Sequence, residues 1–404
     1  MNMDVRIKLS VMMFLEYFIW GAWFVTMGTY LTTIGFQGSD VGNAYSTTAW
    51  AAIISSFFIS LVADKYFAAE KLTGVLHLLG GGILFITAQI KEPGLFFWML
   101  LLYTILYMPT IALTNAIAFQ QTTEPGKDFP KIRVLGTIGW IVAGLTIGFL
   151  KLETGSWPMQ IAAGVSVLTG FFCFTLPNTP PKSTGQSVSV KEILGFDALK
   201  LMKDRSFAIL IISSLFITLP FAMYHPFTNM YLNEIGISNA AGKMTLGQMA
   251  EVVFMIIMPF FFVRLGIKKM LLAGMLAWVA RYLLYAFGNN AELIIFLYLG
   301  ILLHGICYDF FYVTGQIYVD KRAPANLRAS LQGFLTFITY GVGWLFGAWT
   351  GGWILQRYQV TDAGEQVIGH IWRSAMLIPA AIAAVVTLFF VILFKDPKEK
   401  IEMN

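Results

Sequence analysis

Residues 374–394 read SAMLIPAAIAAVVTLFFVILF, a run of 21 residues without a charge. A helix rises about 1.5 Å per residue and the hydrocarbon core of a bilayer is about 30 Å thick, so about 20 apolar residues suffice to cross it. The same criterion, carried outward along the chain, selects twelve spans: 9–33, 41–63, 72–90, 94–121, 131–151, 158–176, 206–233, 244–265, 268–288, 292–319, 326–355 and 371–394. Hydrophobic residues make up 57% of the 404 and charged ones 12%. Soluble domains carry about a quarter charged residues, so this chain cannot clothe a water-facing surface. The expected fold is an all-α polytopic membrane protein.

The longest polar interval, 177–205, opens with Leu176-Pro-Asn-Thr-Pro-Pro-Lys182 and leaves six spans on either side. The expected organisation is an N-terminal six-helix bundle (1–176), a cytoplasmic linker (177–205) and a C-terminal six-helix bundle (206–404). With both termini in the cytoplasm, the cytoplasmic segments hold 21 of the 27 Lys and Arg residues and the opposite side five; Arg281 lies inside a span. That asymmetry recurs loop after loop, which is what orients spanning helices. The net charge of +5 is spread between apolar runs rather than gathered in a stripe, so it points to no nucleic acid. The first span follows Arg6 and Lys8 without a short apolar core and small-residue cleavage site, and is read as retained. Cys173 and Cys307 both fall in apolar runs and form no metal-ligand spacing.

A charged group at a spanning helix's centre costs about 2.5–3.5 kcal/mol on insertion scales, so such groups are functional candidates. Here they are Glu16, Glu251, Arg281 and Asp309, with Arg133 near the start of the fifth span. The fifth span begins Arg133-Val-Leu-Gly136-Thr137-Ile-Gly139-Trp140, which puts Arg133, Thr137 and Trp140 on one face. A cation, a hydroxyl and an aromatic plate are thereby aligned, with glycines that let a neighbouring helix come close. The plainer alternative makes Arg133 an interfacial anchor and Trp140 lipid-facing. Gln248 and Glu251 share a face of the eighth span and offer donors and acceptors suited to hydroxyls or a base edge. Asp309 is embedded in the stripe Tyr308–Tyr312 of the tenth span, close to His304, which reads as a packing histidine. The seventh span carries Pro220 and Pro226 around His225, with Asn229 a turn further, which suits a bent, cavity-lining helix. Glu16 aligns with Trp20 and Trp23, as a proton carrier or the partner of a cation, and Arg281 reads as a counter-ion for one of the acids.

The turn Asp64-Lys65 after the second span and Arg264-Leu-Gly266-Ile-Lys268-Lys269 after the eighth resemble paired loops of the major facilitator superfamily. Within it, Trp20-Gly-Ala-Trp23, Tyr107-Met-Pro-Thr110, the Arg133–Trp140 run, Gln248-x-x-Glu251, Tyr308-Asp309-Phe-Phe and Ala329-Ser-Leu-Gln332-Gly333 resemble the bacterial nucleoside:proton symporters. The resemblance implies proton-driven nucleoside uptake by alternating access, with Arg133, Thr137, Trp140, Gln248 and Glu251 around the nucleoside. It places Asp309 at a family aspartate important for transport, with Tyr308 beside it. The chain departs from the family at Ala222 and His225, where a Gln and an Asn are expected, and at Glu16, where a Gln is expected. The alternative is a disaccharide:proton symporter of the related oligosaccharide family. That family pairs the fifth-span arginine with a fourth-span glutamate, and Asn115 stands at that position here.

The substrate-binding candidates are therefore Arg133, Thr137, Trp140, His225, Asn229, Gln248, Glu251, Tyr308 and Tyr312, and the proton-coupling candidates Asp309, Glu251 and Glu16, in that order. No H-E-x-x-H, G-x-S-x-G or phosphate-binding loop occurs, so neither an enzyme nor an ATP-driven pump is expected. The expected partners are a nucleoside, protons and the lipid bilayer of a bacterial inner membrane. No cofactor is expected, the proton gradient supplying the energy, and the protein is expected to be a monomer.

Overall fold

A computed structural model of the chain describes residues 2–58, 67–122, 125–180, 201–324, 327–364 and 366–395. The Asp64-Lys65 turn and residues 181–200 of the expected linker lie outside them. The described residues are almost wholly helical: α1 (Met3–Trp23), α2 (Met27–Thr33), α3 (Gly38–Phe58), α4 (Ala69–Thr87), α5 (Pro93–Gln121), α6 (Pro125–Phe149), α7 (Trp157–Cys173), α8 (Arg205–Glu234), α9 (Ala240–Phe287), α10 (Ile294–Leu302), α11 (His304–Cys307), α12 (Thr314–Arg322), α13 (Arg328–Thr336), α14 (Trp344–Tyr358) and α15 (Trp372–Leu393). Among them, nine helical stretches are long and apolar enough to cross a bilayer, and α7 is a shorter apolar helix. Their outer faces carry Phe149, Val263 and Ile256, each at least 73% exposed. Apolar exposure on that scale belongs in lipid.

Five spans differ from uninterrupted helices. The first breaks between α1 and α2. The eighth and ninth run together as α9, interrupted at Gly266, whose φ of 69° is open to glycine at little cost. The tenth and eleventh each contain a π-helical segment, π1 (Tyr308–Val313) and π2 (Phe337–Gly343). Such bulges gather at functional sites. Sequence patterning also missed a small hairpin, β1 (Gln359–Thr361) with β2 (Val367–His370). Its turn is fastened by Asp362, whose Oδ1 accepts from the N–H groups of Gly364 and Gln366, each at 2.9 Å. At the start of α5, Glu92 caps the N–H groups of Leu95 and Gly94; those bonds hold its carboxyl below the usual carboxylate range.

The chain divides into two compact units. The first comprises Met1–Val188, Tyr224–Thr245 and Ala348–Gly369, and the second Ser189–Met223, Leu246–Gly347 and His370–Asn404. In the first, α1 packs on α6 and α7, α4 on α5 and α7, and α3 on α5. Small residues set these separations. A Cβ at Gly21 would stand 3.0 Å from the Trp140 backbone, and one at Gly139 would collide with the Phe14 carbonyl. Gly38 and Gly42, one turn apart on α3, meet Gly352 of α14, where a Cβ on Gly42 would lie 2.8 Å from the Gly352 Cα. In the second unit, Gly305 rests against the Ala250 carbonyl and Gly274 against the Phe311 backbone, which brings both parts of α9 onto α11 and π1.

Candidate functional site

In the second unit, α9, α11 and π1 bring the predicted polar residues together. Gln248 is buried, and Glu251, one turn on, is about one-fifth exposed. The Glu251 Oε2 lies 3.5 Å from the Nε2 of His304, whose Nδ1 is 3.0 Å from Nη1 of Arg281. A guanidinium can only donate, so Nδ1 accepts and the ring hydrogen sits on Nε2, aimed at Glu251. His304 thus links Glu251 to Arg281 and is more than a packing residue. Arg281 fits the expected counter-ion role, reaching the acid through an imidazole. It is fully buried, with its guanidinium carbon 5.2 Å from the Trp278 ring centre.

The aromatic stripe holds together across the π-helical turn. The Tyr308 and Tyr312 rings are 5.6 Å apart, Tyr308 pairs with the Tyr340 hydroxyl at 3.0 Å, and Tyr312 with Thr218 at 3.2 Å. Phe221 sits at the hub, its ring 5.0 Å from Tyr312, 5.2 Å from Trp344 and 5.6 Å from Trp278. Phe221, Tyr340 and Trp344 were not singled out in the sequence; in a chain with 35 Phe, 16 Tyr and 11 Trp, an aromatic residue by itself carries little signal. Asp309 opens π1, is fully buried, and neither carboxyl oxygen has a hydrogen-bond partner among the described residues. Most buried polar atoms do find one, which makes Asp309 the acid whose charge this fold leaves uncompensated.

In the first unit, α6 presents the predicted face. Arg133 lies over the Tyr17 ring, 4.0 Å from its centre, and Thr137 is half-buried. Trp140 is half-buried too, edge-on to Trp20 and to His225 at 5.7 Å each, so the lipid-facing alternative does not hold. His225 also meets Phe24 at 6.0 Å. Asn229, predicted beside His225, is engaged elsewhere: its Oδ1 accepts from the Thr29 hydroxyl at 2.6 Å and its Nδ2 donates to Glu153 at 2.7 Å.

Glu153, in the turn between α6 and α7, escaped the sequence reading because it lies outside every apolar run. It is 4% exposed and accepts from Asn229, from Asn233 at 2.9 Å and from the Ala241 N–H at the start of α9. The only two non-glycine residues with positive φ among the described residues, Lys151 and Asn239, flank this network. Beside it lies a cavity of about 240 Å³ lined by Thr29, Thr32, Met230, Asn233 and Glu234. Glu16 is deeper, wholly enclosed, and paired with His77 at 2.9 Å. Among the described residues, no group of three or more His, Cys, Asp or Glu could hold a metal ion.

Residues 3–399 match the family model described as nucleoside H+ symporter. The chain is 42% identical to the putative nucleoside transporter YegT of Escherichia coli (strain K12), covering 99% of this chain and 96% of that one. It is 33% identical to the xanthosine permease of the same organism, covering 98% of each. A crystal structure of the nucleoside transporter NupG superposes with a TM-score of 0.89 at 30% identity, over 98% of this chain and all of that one. These relatives are transporters and permeases, and the fold is that of the major facilitator transporters. On the match over nearly its whole length, the chain belongs to the nucleoside H+ symporter family.

Proposed function

We propose that the protein takes up nucleosides in symport with protons across a bacterial inner membrane. The observation that carries this reading is the family match over residues 3–399. The site chemistry supports it: a nucleoside needs flat apolar partners for its base and mixed donors and acceptors for its edges and ribose. Trp140 in one cluster, and Tyr308 and Tyr312 in the other, offer ring faces of the kind on which bases stack. Gln248 offers both donor and acceptor to a base edge, and Glu251 accepts from ribose hydroxyls. Arg133, Thr137 and His225 supply further polar contacts. Asn229, tied to Glu153, contributes by fixing the end of α8.

In this reading the chain is a monomer of twelve spanning helices, six in 1–176 and six in 206–404, joined by the cytoplasmic segment 177–205, with both termini cytoplasmic and no cofactor. Asp309 carries the coupled proton, ahead of Glu251 and Glu16, because a carrier must exist in both charged and neutral forms and the Asp309 carboxyl has no hydrogen-bond partner among the described residues. The test is uptake by the purified protein in vesicles with an imposed pH gradient, offering uridine, adenosine, free bases and lactose in turn. Saturable accumulation of nucleosides that collapses with the gradient is expected. Lactose uptake without competition by nucleosides would refute the substrate assignment and return the disaccharide alternative.

A further inference from the structure

The hydrogen bonds around His77 fix where its protons are. The Ser166 hydroxyl donates its single hydrogen to the His77 backbone carbonyl at 3.0 Å. Its oxygen also lies 3.1 Å from His77 Nδ1. With the serine hydrogen already committed, that second bond needs a hydrogen on Nδ1. The other ring nitrogen, Nε2, lies 2.9 Å from Glu16 Oε2. If His77 carried only the Nδ1 hydrogen and Glu16 were ionised, a lone pair would face a carboxylate oxygen with nothing between them. The contact is satisfied only with one hydrogen on the Nε2–Oε2 line, as imidazole with carboxylic acid or imidazolium with carboxylate. Both forms leave the pair without net charge.

The rest of the surroundings agree. Neither side chain is exposed at all. Thr110 lies 2.7 Å from Glu16 Oε1, and the Tyr107 hydroxyl donates to the Glu16 backbone carbonyl at 2.5 Å. The groups facing the pair are Tyr103 and Tyr107 from α5, Cys173 from α7 and Tyr17 from α1. Arg133 of α6 lies over Tyr17, and Glu70 of α4 is held by the Thr179 N–H. Among the described residues, no Lys or Arg is ion-paired with Glu16, so nothing but a proton neutralises it.

We propose that Glu16 and His77 form a proton-binding site that keeps a single resident proton, shared between Oε2 and Nε2, which is not the proton carried in transport. A carried proton must meet water on each side of the membrane in turn. This pair is enclosed by α1, α4, α5 and α7, all in one compact unit. Its proton instead closes a polar knot that fastens those four helices. From the symporter reading the proposal takes only that another acid, Asp309, does the carrying.

Glu16→Gln tests it. A glutamine amide can donate to His77 Nε2 and accept from Thr110, so it reproduces the knot without a titratable proton. Protons released on unfolding the full-length protein at about pH 8, above the usual ranges of both glutamate and histidine, are counted with an indicator dye. Wild type is expected to release one proton more than Glu16→Gln. Equal release from wild type and Glu16→Gln overturns the shared proton, whatever the protein transports. Nucleoside uptake driven by a pH gradient is measured in parallel. Loss of accumulation in a folded Glu16→Gln protein that still binds nucleoside would make this the carried proton and overturn its residence. If the wild type moves no nucleoside, only the symporter reading fails, and the proton count still decides the site.

Discussion

Replacing Glu153 with alanine removes the acceptor shared by three donors, of which Asn233 keeps its bonds to Asn229. Its oxygens accept from Asn229 at 2.7 Å, Asn233 at 2.9 Å and the Ala241 N–H at 3.1 Å, with only 4% of the residue exposed. Hydrogen bonds to a charged acceptor contribute about 1.5–3 kcal/mol each, and a carboxylate at a helix start adds up to about 2 kcal/mol. Water entering the vacated space restores part of that, leaving a net loss of about 2–5 kcal/mol. The bonds join the α6–α7 turn to the ends of α8 and α9, on the side that bears few Lys and Arg. If these bonds hold that side closed, opening it for alternating access must break them. Glu153→Ala should therefore raise the open-to-closed ratio roughly 30-fold or more, at 1.4 kcal/mol per tenfold. Thr26, one turn below Thr29 and 1% exposed, is a suitable reporter. In Thr26→Cys, an impermeant thiol reagent applied from outside should react at least about tenfold faster once Glu153 is alanine, the buried Cys173 and Cys307 staying silent. Asn229→Ala on top of Glu153→Ala should add less than it does alone, because the two share a bond. Unchanged labelling of Thr26→Cys in a folded Glu153→Ala protein would reduce Glu153 to a brace of its own turn.

A bulky residue at Gly42 or Gly352 should act in the same direction, since α3 and α14 come closest there with Gly42 against Gly352 and the Ala348 carbonyl; faster Thr26→Cys labelling in Gly352→Leu is expected, and slower labelling would contradict it. Trp140→Ala should weaken nucleoside binding by about 1–3 kcal/mol if a base stacks on it, read by titration calorimetry; unchanged affinity removes Trp140 from the site. Asp309→Asn keeps size and hydrogen-bonding capacity but cannot ionise, so binding should hold within a small factor while accumulation and its pH dependence vanish. Accumulation with wild-type pH dependence in that variant would move the carrier role to Glu251.

Spanning helices were legible because the bilayer imposes one rule, about 20 apolar residues, on every one of them. The α1–α2 break, the Gly266 interruption and the two π-helical turns were not, because each is decided by tertiary packing at one or two residues. Arg133, Trp140, Glu251 and Asp309 stood out in the sequence because charge or aromatic surface at depth is costly or regularly spaced. Their partners were harder to see. His304 reads in sequence as a packing histidine and becomes a bridge only when Arg281 approaches from the other part of α9. His77 is 61 residues from Glu16 and Ser166 a further 89 from His77, so no local pattern could join them. Glu153 lay in a loop, and only the fold shows it to be buried.

Glu16, Glu153, Glu251 and Asp309 solve the same electrostatic problem in different ways. An ionised carboxylate in an apolar interior must be neutralised by a cation, a proton or an array of donors. Glu153 takes the array, accepting from two amide groups and a helix N-terminus, bonds that the proposed opening of its end of the molecule would break and re-form. Glu16 takes the proton, through His77, inside a rigid knot that leaves no route to water. Glu251 takes a cation at one remove. His304 donates towards it and accepts from Arg281, so charge on Glu251 is felt by Arg281 through the imidazole, and Glu251 retains enough exposure to meet a ligand. Asp309 takes none of these, and no donor or cation reaches it among the described residues. Ionised in this arrangement, it would bear the whole cost of burial; neutral, it fits. Of the four, Asp309 is the acid whose surroundings leave most room for proton exchange, which is what the proposed carrier role asks of it.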